Sequence, residues 1–179
     1  SNQFKDYFKF YNNFDSVPSL HELYVLKILK KRIKKKSVIL NGQPADGING
    51  SYIKRSFLDN KNNLSIVLDE IINKHYSLWP NLKNENNLKK IKKNVLKEYK
   101  DYSKIKIKYP YQVLLFHAYQ NRICKYLMKN YQVYEYYNFE WYSPYMDLRF
   151  VKFWYSIPQK YHFKRNLSKK ILHDTNIYK

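Results

Sequence analysis

The chain has 179 residues, 34 basic against 14 acidic side chains, and a formal charge of +20, a length that suits one domain or part of a larger one. An apolar content of 44%, with 18% aromatics, suffices to bury a core and excludes wholesale disorder. No apolar run approaches the roughly 20 residues of a membrane span, and the single cysteine, Cys124, excludes a disulfide framework or a cysteine-based zinc site.

The first predicted element is a helix over 19–36. Ser19 is its N-cap, with Glu22 three residues on as the other half of a capping box. Leu20, Leu23, Tyr24, Ile28 and Leu29 form its apolar stripe, and the cations from Lys30 to Lys36 crowd its C-terminal end, where the dipole favours them. Lys27, Lys30 and Lys31 interrupt the apolar run, so no signal peptide is expected and a cytoplasmic location is. Residues 37–40 are short and β-branched, the pattern of a buried strand.

The strand runs into a turn-rich segment over 41–51 that holds every glycine of the chain, Gly42, Gly47 and Gly50. A composition that avoids glycine elsewhere and spends three here marks a special loop, because glycine serves where φ is positive or where backbone is closely approached. Asp46 sits in that loop. An acid after a strand suits a hard cation beside a phosphate, and equally suits the cap of a following helix.

Three helices follow in the pattern. Leu64, Val67, Leu68, Ile71 and Ile72 set one; Leu88, Ile91, Val95 and Tyr99 another; Phe116, Tyr119, Ile123, Leu127 and Met128 a third over 113–129. Pro80 and Pro110 punctuate them. Residues 81–108 are the most polar and read as a peripheral insertion. Residues 131–142 are aromatic without regular period, 145–156 read as a short helix, and 168–175 as a last turn or two. His21, His75 and His117 lie in helical patterns without metal-ligand spacing, so packing or surface roles are expected of them.

Four short motifs stand in order. The loop reads Gly42-Gln43-Pro44-Ala45-Asp46, then Gly50-Ser51-Tyr52. A second reads Glu140-Trp141-Tyr142-Ser143-Pro144-Tyr145-Met146-Asp147, followed by apolar residues and Ile157-Pro158. The third is Lys169-Lys170-Ile171-Leu172-His173, and upstream lies Asp15-Ser16-Val17-Pro18. In this the chain resembles the synthetase domain of the asparagine synthetase family, which includes β-lactam synthetase, lasso-peptide cyclases and sugar amidotransferases. The family patterns are G-(E/Q)-G-A-D-E-x-x-G-G-Y, E-x-R-x-P-F-L-D and K-x-x-L-R, preceded by D-x-P.

The resemblance implies an ATP-dependent ligase that adenylates a carboxylate and forms an amide with glutamine-derived ammonia, on a sugar acid among other substrates. On the family pattern Asp46 is a Mg²⁺ ligand, and Gly42, Asp46 and Asp15 belong to the nucleotide site. Lys169 neutralises the acyl-transfer transition state, with Lys170 as neighbour should the register slip. Gln43 stands where relatives carry a proton acceptor, but an amide can only orient by hydrogen bonding. The departures are Pro44, Gly47, Ser51, Tyr142 and His173, the last two where the family has arginines.

The family's pyrophosphate loop, S-G-G-x-D-S, and its glutaminase cysteine are absent from these residues. The resemblance therefore implies the C-terminal half of the synthetase domain, with ATP and Mg²⁺ bound only when an N-terminal half and a glutaminase complete it. The implied fold is mainly α, part of an α/β ATP-pyrophosphatase domain with one short parallel strand.

Two other classes stay open. One is a non-catalytic interaction module that keeps the fold. The other is a nucleic-acid-binding domain, which the charge suggests. Against the latter, 29 basic residues are Lys and 5 are Arg, and Lys, Asn, Ile and Tyr are together abundant while Ala occurs twice. That is the imprint of A/T-rich codons, and it raises Lys without any selection for phosphate contact.

Overall fold

A computed structural model describes residues 2–11, 20–33, 37–59, 63–103 and 108–176. The motif around Asp15 and the cap at Ser19 lie outside the described residues. In chain order the elements are α1 (Asn2–Tyr11), α2 (Leu20–Leu29), β1 (Val38–Leu40), α3 (Ala45–Ile48), α4 (Arg55–Asp59), α5 (Leu64–His75) and α6 (Glu85–Ser103). Then come α7 (Tyr111–His117), a π-helical stretch (Ala118–Leu127), α8 (Met128–Asn130), α9 (Gln132–Tyr136), β2 (Glu140–Tyr142), α10 (Leu148–Ser156), α11 (Gln159–His162) and α12 (Asn166–Asp174). The described chain is mainly helical with one two-stranded parallel sheet. No helix among the described residues is long and apolar enough to cross a membrane.

The chain divides into two compact units, Ser1–Pro44 with Gln120–Asp147, and Ala45–Tyr119 with Leu148–Lys179. The first has an aromatic core: Tyr7 and Tyr11 of α1, Leu23 and Leu26 of α2, and Tyr131, Val133, Tyr134, Tyr137 and Phe139 around α9. A core so rich in tyrosine must place its hydroxyls. Tyr137 Oη donates to the Leu23 carbonyl at 2.9 Å, and Tyr11 Oη to Asn130 Oδ1 at 3.2 Å. Strand β1 pairs in parallel with β2, in the register Val38–Glu140, Ile39–Trp141 and Leu40–Tyr142.

Helices α5 and α6 agree with the periodicity. β1 forms where a strand is expected but is not a buried one: Val38 and Leu40 are well exposed. The helix expected over 19–36 ends as α2 at Leu29, and it buries Leu23 and Leu26 while Leu20, Tyr24 and Ile28 are exposed. Two further stretches differ as well. β2 falls in the segment that shows no regular period, because three residues are too few for alternation to register and its partner lies far away in sequence. The helix expected over 113–129 begins as α7 but widens to π-helical from Ala118. Within the π-helical stretch Ile123 is buried while Tyr119 and Leu127 are half-buried; Phe116 in α7 and Met128 in α8 are half-buried too.

The second unit is built on α5, α6 and α7. Asn63 caps α5, its side chain accepting from the Ile66 amide at 3.2 Å. Val67, Leu68, Ile71 and Ile72 of α5 are buried, as are Val95 and Tyr99 of α6. The polar stretch 81–108 thus contributes core as well as lysine-covered surface. Gln112 ties α7 to its surroundings: its Oε1 accepts from the Lys108 and Tyr109 amides at 2.8 and 2.9 Å, and its Nε2 donates to the Tyr155 carbonyl at 2.9 Å.

Candidate functional site

The Gly-rich loop spans the boundary between the units, and each part has its own setting. In the first unit Asn41 extends the sheet, its amide donating to the Tyr142 carbonyl at 2.9 Å. Its Oδ1 accepts from the Gln43 amide at 2.8 Å, an Asx turn that sets the chain's direction after β1. Tyr131 Oη reaches both Asn41 Oδ1 at 3.2 Å and Gln43 Oε1 at 3.4 Å, and Asn41 Nδ2 donates to Tyr134 Oη at 3.0 Å. Ser143 Oγ donates to the Gln43 carbonyl. Burial, with smaller contributions from Tyr134 and Glu22, pushes the Tyr131 hydroxyl up to about 12. It is therefore protonated at neutral pH and acts as a donor, leaving the Gln43 amide held for orientation, not proton removal. Gly42 has open space around its Cα.

In the second unit Ala45–Ile48 coils into the single turn of α3, with Asp46 in it. The turn is closed by the Asn49 amide on the Ala45 carbonyl at 2.8 Å and the Ser51 amide on the Asp46 carbonyl at 3.0 Å. Gly47 packs on the Tyr52 ring, where an added Cβ would come within 3.1 Å. Gly50 has φ +103°, and a Cβ there would overlap the His162 carbonyl. This position requires glycine on both counts.

Gly50, Ser51 and Ile53 line a cavity of about 490 Å³ together with Lys164, Arg165 and Lys169. The structure thus brings the end of the Gly-rich loop to the first residue of the Lys169-Lys170-Ile171-Leu172-His173 motif on α12. Three cations converge there. Lys164 (φ 51°) and Arg165 (φ 59°) are consecutive non-glycine residues in left-handed conformation, each costing about 1–3 kcal/mol. Arg165 Nη1 meets Asp46 Oδ1 at 3.0 Å. That pair is well exposed, and exposed ion pairs contribute little, roughly 0–1 kcal/mol; it can open to a competing anion. Lys169 has no carboxylate partner among the described residues. Below the cavity His162 is fully buried, its Nε2 donating to the Trp154 carbonyl at 2.7 Å.

Among the described residues no group of three His, Cys, Asp or Glu side chains forms a cage for a metal ion, and the loop's one carboxylate, Asp46, is exposed and paired with Arg165.

Lys164 and Arg165 were not marked as site residues by the sequence, where they are two cations among 34. Only their backbone conformation and their convergence on Gly50 set them apart. Tyr131 and Ser143 likewise gain meaning from contact with Gln43. Comparison with protein-family models, with curated proteins and with solved structures finds no match to the chain.

Proposed function

We propose that the cavity between Gly50 and Lys169 is the anion-binding part of an ATP-dependent amide-forming ligase of the asparagine synthetase type. The observation that supports it best is the meeting of motifs far apart in sequence. In the first unit the strand and loop before Asp46 are bonded to Tyr142 and Ser143 of the second motif. In the second unit the loop's Gly50–Ser51 end lines one cavity with Lys169.

In this reading Lys164 and Arg165 offset phosphate charge, with donors preset by the strained backbone instead of reorganised at each turnover. Asp46, once released from Arg165, would hold the Mg²⁺ that accompanies the nucleotide, an ion that would supply charge stabilisation to the departing pyrophosphate. Lys169 neutralises charge developing on the acyl oxygen when the amine attacks the activated carbon and AMP leaves. Gln43 orients by its amide. The reading requires a pyrophosphate loop and an ammonia source supplied from outside these 179 residues.

The test is carboxylate-dependent ATP–pyrophosphate exchange, followed by amide formation, in the complete protein that carries this chain. Asp46→Asn is expected to lower Mg²⁺-dependent exchange by about 100-fold or more, the scale of losing one preorganised charge-stabilising group. Lys169→Ala is expected to lower amide formation by a similar factor. Exchange left unchanged by Asp46→Asn refutes the metal assignment, and exchange by the 179-residue chain alone refutes the division of the site. The Asp46–Arg165 ion pair favours a second reading, a non-catalytic interaction module in which the acid has become a structural partner. Absence of exchange from the complete protein supports that reading.

A further inference from the structure

A second cavity, of about 380 Å³, opens where α5 turns into α6. Its apolar walls include Leu78, Trp79, Leu82 and Ile91, and Lys83 and Lys90 stand among the polar lining. The apolar groups are conspicuous because they are not packed away: Leu78 is 84% exposed, Trp79 69% and Leu82 59%.

The rim that presents them is ordered by hydrogen bonds, not loose. The Leu82 amide donates to the Trp79 carbonyl at 3.1 Å and the Lys83 amide to the Pro80 carbonyl at 3.0 Å, closing a 3₁₀ turn over Pro80–Leu82. Asn87 locks that turn to α6, its Nδ2 donating to the Leu82 carbonyl at 2.9 Å. Its own amide donates to Asn84 Oδ1 at 2.9 Å. A bonded turn that holds an indole and two leucines toward solvent is preorganised for an apolar body, and ordering costs on binding are correspondingly small.

Charge narrows the occupant. No acidic side chain lines the cavity, and among the described residues neither Lys83 nor Lys90 has a carboxylate partner. Two other lysines of α6 do meet a carboxylate, Lys92 with Asp69 at 2.6 Å and Lys89 with Glu85 at 3.6 Å. An apolar wall beside two unneutralised ammonium groups fits a compact ligand with a flat or alkyl body and one anionic head. The volume lies in the range of small-molecule sites, roughly 300–1,000 Å³, and a pocket of that kind uses a few polar groups to fix orientation.

We infer that the cleft of the α5–α6 hairpin is a binding site for a small aryl or alkyl carboxylate, its body against Trp79, Leu78 and Leu82 and its head between Lys83 and Lys90. This site is separate from the Gly50–Lys169 cavity and does not depend on the reading given to it.

The experiment is calorimetric titration of the 179-residue chain with three probes that share one ring system: 2-naphthoate, 2-naphthylmethanol and 2-naphthylmethylamine. The acid is expected to bind about tenfold or more tightly than the alcohol, since charge-assisted hydrogen bonds are roughly twice as strong as neutral ones, and the amine weakest. In Lys83→Ala/Lys90→Ala, a half-buried and an exposed position that both lie outside the core, the preference for the acid should disappear while the alcohol binds as before. Trp79→Ala should weaken all three.

No saturable binding, equal binding of acid and alcohol, or indifference to Trp79→Ala would overturn the inference. So would self-association of the chain that Trp79→Ala abolishes, which would make a second copy the occupant. An acidic amphipathic peptide that binds where naphthoate does not would likewise overturn it.

Discussion

His162 joins the second unit's packing to its cavity. The ring lies among Tyr111 and Trp154, at centroid distances of 5.5 Å from each, and the carbonyl abuts Gly50. Burial holds the imidazole down at about 4, and its bonds to backbone carbonyls only partly offset that. An unfolded chain titrates near the ordinary value of about 6.5. Between those two values the unfolded state binds more protons than the folded one, so stability falls as pH drops from about 6.5 to 4 and is level on either side. The loss from this residue is about 3 kcal/mol. Urea unfolding at pH 7 and pH 4.5 should show it in the wild type and not in His162→Gln. Equal pH slopes in the two proteins would contradict the assignment. Its chemistry is hidden in the sequence, where His162 is a lone histidine after a proline; the three-dimensional enclosure alone makes it a neutral structural group.

Among the elements, α7 depends on a side chain that periodicity cannot evaluate. Gln112 is buried, and it satisfies two amides ahead of the helix and one carbonyl at the end of α10. Replacing it by leucine leaves those three backbone groups without their partner; the Tyr155 carbonyl is the buried one, at about 1–3 kcal/mol for a buried group left unsatisfied, while the Lys108 and Tyr109 amides are only part-buried. Gln112→Leu is therefore expected to lower stability by about 1–3 kcal/mol, as read from the urea midpoint of the transition that includes α7. A change under about 0.5 kcal/mol, the range of an ordinary surface substitution, would show that water replaces the amide at no cost. Helices α5 and α6 were legible because their apolar residues recur at helical spacing and Pro80 marks the break between them, whereas the Asn63 cap of α5 emerged only with the structure. The π-helical turns were not, since an i→i+5 ladder leaves no distinct residue signature. Nor was the grouping of His75, His117 and Glu98: the two rings lie 5.3 Å apart and His117 Nδ1 is 3.4 Å from Glu98 Oε2. They come from three different helices, so no local spacing relates them.

For the molecule as a whole, the charge of +20 matters more than any single ion pair. Several of the pairs that form are exposed, such as Arg55–Asp59 at 3.5 Å and Lys89–Glu85 at 3.6 Å, and with 34 basic side chains against 14 acidic ones most lysines are left to repel one another. Self-repulsion of this kind disfavours compact states and is screened by salt. Raising ionic strength from about 0.01 to 0.15 M shortens the Debye length from about 30 to about 8 Å. Unfolding midpoints should rise with added NaCl, by an amount on the order of 1 kcal/mol. Midpoints that fall or stay constant would mean that the lysine charge is already balanced by the fold. The first unit also leaves Val38 and Leu40 of β1 and Tyr142 of β2 well exposed. A two-stranded parallel sheet with open apolar faces is unusual, because parallel strands are ordinarily covered on both faces. This is the element to which further sheet or a covering layer would be added if the ligase reading holds.

Composition, helical periodicity, the β1 strand and the single glycine-bearing loop were all readable along the chain, because each depends on residues within a few positions of one another. The Gly50 position shows where that reading stops. Its sequence context indicates that glycine is needed, but the reason lies in the His162 carbonyl more than a hundred residues later. The same holds for the pairing of β1 with β2, for the hydrogen bonds around Gln43, and for Lys164 and Arg165 facing Asp46 and Lys169. Local propensity acts through neighbours in the chain, whereas a cavity is made by groups that only folding brings within a few ångströms.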